Sequence, residues 1–288
     1  MHPARQAKQQ VLKLQHLPPL SATASRLLAL LSDETLSLDH LARVINQDPG
    51  LSARVLGLAN SAYFGQKNPI LSVEDAIIRV LGLNMVKSLA FSIAVSGVFE
   101  TSCCRSFDLR SYWSDVLSIA TLARQVSIAV DVEEPLDPDA VYLSGLLLDI
   151  GVLVLVHEFP EDYAKVLLMS QQQADADILC LETELIGINH HEAGAWLADR
   201  WHLPQLIVKV IAQGGEASVE GEQPKEVALV GAVSDWVKQG LSDDAGVEQN
   251  APVLRDCCGL SSETIETIKT RFLDKEEEIS VIAGMLAG

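Results

Sequence analysis

Gly145-Leu146-Leu147-Leu148-Asp149-Ile150-Gly151 lies within the most apolar part of the chain, which runs from Leu143 to Val156 and is interrupted by Asp149. That run is shorter than the roughly 20 residues an apolar helix needs to cross a bilayer. It reads as part of a buried core helix near residues 140–159. Asp149 must then find a partner, a neighbouring backbone group or an Arg, because an unpaired buried carboxylate is costly and has a raised pKa.

Outward from this stretch, both flanks read as helices separated by local punctuation. Ser21 is placed to cap a helix with Ala24, Leu27, Leu28 and Leu31 inward, and Ser37 one with Leu38, Leu41, Val44 and Ile45 inward. Asp48-Pro49 combines an N-cap acceptor with a residue suited to the first turn. Ser72-Val73-Glu74-Asp75 resembles a capping box, Gly82 ends the helix it opens, and Asn84 is expected to cap the next one, to about Val98. The second half predicts helices over about 108–130, after Pro160, over about 177–185, from Asn189 through His202, after Pro204 to Gly214-Gly215, and over 227–241. A looser tail carries a final helix near 262–275. No strand alternation and no repeat interrupts the pattern.

Composition bounds the function. The chain has 288 residues, 48% hydrophobic, with a formal net charge of −18 and a pI near 4.7. Such a chain repels phosphate backbones and anionic headgroups, which makes nucleic acid and membrane poor partners. The helix pair around Gly82 has helix-turn-helix spacing, but its second member, Met85 to Ala94, carries one cation and little that reads base edges, so it is assigned to the core. The five cysteines, Cys103, Cys104, Cys180, Cys257 and Cys258, form neither a disulfide framework nor a metal knuckle, which fits a reducing cytoplasm. Residues 1–10 are polar and lack the apolar core of a signal sequence.

Several motifs occur in an order that resembles the HDOD family, a branch of the HD-hydrolase superfamily. They are Leu17-Pro18-Pro19-Leu20, Asp48-Pro49-Gly50-Leu51, Leu58-Ala59-Asn60-Ser61-Ala62, Ala76-Ile77 to Leu81-Gly82, Gly145 to Gly151, Gly187-Ile188-Asn189-His190 through Gly194, and Trp201-His202-Leu203-Pro204. The match covers about residues 14–240. It implies an all-α fold in which a helical N-terminal lobe, about 1–105, packs on an HD-like lobe, 106–288, as one unit. It also implies a bacterial regulatory role.

Active HD hydrolases hold a metal with an ordered His, His-Asp, Asp set, and the metal activates water. Carried over by position, the first His falls at Asp115, the His-Asp doublet at Leu148-Asp149, and the last Asp at Asp235. A His pair found in many relatives falls at Gly214-Gly215, while His190 matches a family position. Leu148 has no lone pair to offer. A hard ion such as Mg²⁺ could use Asp115, Asp149 and Asp235, but that is a different site from the catalytic one. His190 and His191, adjacent on a helix and about 100° apart, are not expected to share one ion easily. His157 has no motif around it.

Phosphate loops, nucleophile elbows and dinucleotide fingerprints are missing from the sequence. The resulting expectation is a non-catalytic signalling module with no cofactor and no bound metal, acting in trans on bacterial signalling proteins. The alternatives are a metal-dependent phosphohydrolase with relaxed ligands and a nucleotide-binding sensor, for which a small-molecule ligand has no specific support in the residues.

Overall fold

The caps predicted from single residues set the first helices. In a computed structural model of the chain, residues 18–31, 33, 35–130, 136–172, 177–214, 225–240, 254–255 and 259–288 are described. The side chain of Ser21 accepts from the Ala24 N–H at 3.0 Å and opens α1, Ala22–Leu31. Its buried residues are Ala24, Leu27 and Leu30, while Leu28 and Leu31 are only partly covered. Ser37 opens α2, Leu38–Asn46, and Asp48 with Pro49 opens α3, Pro49–Ala59. Asn60 then closes the loop that follows: its amide donates to Ile70 O at 2.8 Å and accepts from Ile70 N at 2.7 Å.

Ser72 caps α4, Val73–Ala76, which continues as a π-helical segment, Ile77–Leu81. Gly82 follows with φ +79°, a left-handed value that favours glycine. Helix α5 spans Leu83–Ser96 and buries Val86, Leu89, Phe91 and Ile93. Asn84 lies inside α5 and does not cap it; its amide reaches Asp139 Oδ2 at 2.7 Å instead. That contact ties α5 to residue 139, far along the chain.

The helices that follow are organised by α6, Leu109–Ala129. Around it lie α7, Pro138–Leu147, and α8, Ile150–Glu158. One continuous helix was expected here. The structure breaks it at Leu148-Asp149, where Asp149 has ψ +20° and leaves helical geometry. The apolar neighbours on both sides hide this break from any periodicity argument. By length and composition, Pro138–Glu158 is sufficient to cross a membrane, yet most of it is buried among the other helices.

Helix α9, Pro160–Gln172, and α10, Ile178–Leu185, pack on each other, and α11, His190–Arg200, packs on α8 and on α12, Gln205–Gln213. Asn189 and Glu192 complete a capping box at the start of α11. Helix α13, Lys225–Lys238, packs against α6. Beyond the expected final helix the chain forms one more. Beyond α14, Ser262–Leu273, a further helix α15, Glu276–Ala287, lies along α6 and also touches α3. Its buried Ile279, Ile282, Ala283 and Leu286 recur at helical spacing. No strand occurs among the described residues, and one continuous apolar core runs from Ala24 to Leu286. Gly215 and the expected loop to Glu226 lie largely outside the described residues, as do Cys257 and Cys258.

Candidate functional site

Two glycines bring α8 and α11 into backbone contact. A Cβ on Gly151 would collide with the carbonyl oxygen of His190 and stand 2.7 Å from the Gly194 nitrogen. A Cβ on Gly194 would stand 2.8 Å from Ile211 Cγ2 and 3.0 Å from the Gly151 nitrogen. Only residues without a side chain allow this approach, and it sets the first turn of α11 beside the Leu148-Asp149 break.

His190 is fixed there by Glu182 on α10. Its backbone N–H donates to Glu182 Oε2 at 2.8 Å, and its ring Nδ1 lies 2.7 Å from the same oxygen. Glu182 is fully buried, and Tyr163 on α9 also hydrogen-bonds it. A carboxylate only accepts, so Nδ1 carries a proton and donates it to Glu182. The ring Nε2 has no hydrogen-bond partner and stands 3.8 Å from Asp149 Oδ1.

Asp149 finds its partner in a lysine, not the backbone or Arg expected. Lys238 Nζ, at the end of α13, donates to Asp149 Oδ1 at 3.2 Å. Burial pushes the Asp149 carboxyl up, but the Lys238 ammonium and the neighbouring imidazoles outweigh it, and the group is held below the usual carboxylate range.

His191 lies beside His190, with ring centroids 4.3 Å apart. Burial, followed by His190, pulls its pKa down to about 3, so its ring is neutral at pH 7. It sits against an apolar plug: a Cβ on Gly214 would overlap Leu148 Cδ1 and approach His191 Cε1 to 2.9 Å. Leu148 therefore fills the space beside Gly214, and both positions lack donors. The expectation that the two adjacent imidazoles diverge is corrected by the structure. The donor atoms of Asp149, His190 and His191 all lie within 4.8 Å of one another, so the rings converge. They reach one region because both stand in the first turn of α11, against the break at Asp149. The expected shortage of nitrogen at this end of the fold is thus confined to positions 115, 148 and 214.

Asp149, His190 and Lys238 line a cleft of about 380 Å³ whose walls include Phe107, Tyr112 and Tyr163. Asp115 stands at its exposed rim. The surrounding protein, and next the charge on Asp149, push the Asp115 carboxyl up to about 6, with Lys238 acting in the opposite sense. Asp235 is half-buried one turn before Lys238, is raised by burial, and is not among the residues lining the cleft. His157 serves the fold rather than the cleft, its Nδ1 accepting from the Glu100 N–H at 2.9 Å. Glu182 and Lys238 were not singled out in the sequence. Glu182 carried a faint signal, an acid directly after Leu181 in a largely apolar helix.

The HDOD domain profile matches residues 17–216. The chain belongs to the HDOD domain family. Solved HDOD-like folds superpose closely. An HDOD domain protein of unknown function from Geobacter sulfurreducens has a TM-score of 0.78 at 23% identity, covering 98% of this chain and 97% of that one. A protein named provisionally for signal transduction, from Marinobacter aquaeolei VT8, has a TM-score of 0.80 at 22% identity, covering 99% of this chain and 66% of that one. One named provisionally as a phosphohydrolase, from Shewanella amazonensis SB2B, has a TM-score of 0.76 at 23% identity, covering 96% and 97%. An uncharacterized protein from Treponema pallidum (strain Nichols) is 24% identical over 267 residues, and this HDOD chain spans 50% of its length. At these identities the likeness establishes the fold.

The HDOD chain combines three converging donors, Asp149, His190 and His191, with neighbouring positions that differ from the metal-ligand set the family resemblance implies. Leu148 offers no donor, position 115 is an exposed carboxylate, and the one acid kept from the doublet is already bonded to an ammonium. A divalent ion beside Asp149 would meet the Lys238 charge a few ångströms away.

Proposed function

We propose that the chain is a non-hydrolytic signalling module of the HDOD family that works by recognition, with the cleft between α6, α9 and α13 as its recognition site. One observation carries this reading: the Lys238 ammonium rests on Asp149, with Leu148 beside it where a metal-ligating imidazole would stand. Without an activating ion, bound water keeps its ordinary, high pKa and does not attack a phosphoester. The net charge of −18 favours basic partner surfaces over anionic ones. A screen of phosphomonoesters, nucleotides and cyclic dinucleotides with Mg²⁺, Mn²⁺ and Zn²⁺ tests it. The expected result is no turnover above that of Asp149→Ala, together with specific retention of a signalling protein on the immobilised chain. Turnover that is lost in Asp149→Ala contradicts it.

The second reading, a phosphohydrolase with relaxed ligands, is favoured by the convergence of Asp149, His190 and His191. It requires Lys238 to swing out, which its 40% exposed side chain permits. It predicts metal-dependent turnover that rises in Lys238→Ala.

A further inference from the structure

A cavity of about 110 Å³ lies where α3, α5, α6, α7 and α15 meet, and it shares no lining residue with the Asp149 cleft. Its walls are mostly apolar, with Leu58, Leu89, Leu117 and Ile282 contributed by four different helices. The polar groups among them are Tyr63, Thr121, Arg124, Gln125 and Tyr142. Each carries a donor, Arg124 is the charged one, and no acid among the described residues lines the space. Burial raises the hydroxyls of Tyr63 and Tyr142, so both keep their protons at neutral pH. Glu278, which does not line the cavity, adds to the rise at Tyr63, and Arg124 opposes it at both phenols, so the guanidinium stands near the two hydroxyls. Arg124 is loosely held. Its Nε and Nη2 both reach one oxygen of Asp139 at 3.4 Å, longer than the roughly 2.7–2.9 Å of a close charged pair. The other Asp139 oxygen already takes the Asn84 amide at 2.7 Å. This contact engages only one edge of the guanidinium fork.

We propose that this cavity binds a small organic monocarboxylate, its apolar tail inside the walls and its carboxylate on Arg124 and a neighbouring phenol. An apolar cavity of about 150 Å³ holds a benzene-sized molecule, which sets the tail here at about five carbons. The carboxylate meets a lining of donors only, whereas a cation of the same size would face Arg124 and a neutral molecule would leave the guanidinium without an acceptor. A sugar or a bare phosphate would waste the apolar walls. Tyr63 and Gln125 also line a wider outer cleft of about 720 Å³ beside α14, which gives the ligand its way in. That outer cleft sets Arg271 and Lys275 against Glu263 and Asp274, so the choice of charge falls to Arg124. Lys275 holds Tyr63 at this entrance, its Nζ 3.3 Å from the Tyr63 carbonyl oxygen and 4.5 Å from the ring centroid. The inference goes beyond recognition at the Asp149 cleft and does not rest on it. The two sites share α6, which carries Asp115 to one and Arg124 to the other.

Calorimetry and NMR titration of the full chain test the proposal with sodium hexanoate as probe, against acetate, 1-hexanol and hexylammonium. Hexanoate is expected to saturate a single site and to bind about tenfold more tightly than 1-hexanol, the worth of a hydrogen bond to a charged group. Acetate, which has no tail to bury, and hexylammonium show no saturable binding. Arg124→Gln brings hexanoate down to the level of 1-hexanol. Asp139→Asn removes the rival carboxylate and binds hexanoate several-fold more tightly, a gain that damage to the fold cannot produce. Thr121→Phe fills the cavity and abolishes binding while the melting temperature holds or rises. The proposal is overturned if acetate, 1-hexanol or hexylammonium binds as tightly as hexanoate, or if Asp139→Asn gives no gain. It is equally overturned if the Thr121→Phe chain, still folded, binds hexanoate unchanged.

Discussion

Lys238 Nζ and Asp149 Oδ1 meet at 3.2 Å although 89 residues separate them in the chain. The pair joins the end of α13 to the break between α7 and α8. Because the Asp149 carboxyl is held below its ordinary range, its contribution to stability is fully present above the unfolded carboxylate pKa. It is lost as the pH falls through the lower, folded value. The 40% exposure of the Lys238 side chain lets solvent and salt screen the pair and keeps the effect modest. Melting temperatures of wild type and Lys238→Met should therefore differ at pH 7 and converge in acid. A difference that grows on acidification would contradict the pairing.

Glu182 holds both the backbone N–H and the ring of His190 from a fully buried position. Glu182→Ala should leave those donors without partners, at about 1–3 kcal/mol for each buried group. Urea unfolding of the variant checks this. A loss under about 0.5 kcal/mol, the scale of a neutral surface change, would show that water replaces the carboxylate freely.

Gly151→Ala should force α8 and α11 apart, since the added methyl meets the His190 carbonyl oxygen and no flexible side chain can yield. Overpacking of this kind costs about 1–3 kcal/mol or more. The same change should shift the His190 ring resonances in an NMR spectrum. Unshifted resonances would mean that the glycine contact does not position His190.

His191 is expected to stay neutral across physiological pH, its pKa having been pulled down to about 3 by burial and by His190. A base with a depressed folded pKa contributes stability that is present above its unfolded value, near 6.5. That stability declines as the pH falls from about 6.5 toward 3. In an NMR titration the His191 ring signals should not move between about pH 5 and 8, the range in which an unperturbed imidazole changes charge.

The parts of this fold that were legible in the sequence are local ones. Ser21, Ser37, Asp48, Ser72 and Asn189 each bond an N–H three residues away, and short side chains before apolar spacing reveal such caps. Asn84 misled because Gly82 already begins α5. The break at Asp149 was invisible because leucine, isoleucine and valine surround it and no glycine or proline stands at the break itself. Helix α15 was hidden behind the acidic run Glu276–Glu278, although its buried spacing is regular. At the site, the positions 115, 148, 149, 190 and 214 could be named from the family order. Their meaning could not, because Lys238, Glu182 and His191 act through contacts between helices far apart in sequence.

Metal content is the most direct test of the claim that an internal ammonium stands in for the ion. The purified chain is equilibrated with Zn²⁺, Mn²⁺ and Mg²⁺, passed through gel filtration, and analysed by mass spectrometry for bound metal. The account predicts that the wild type emerges without a stoichiometric ion. One transition ion per chain, retained through the column and lost in Asp149→Ala, would contradict it.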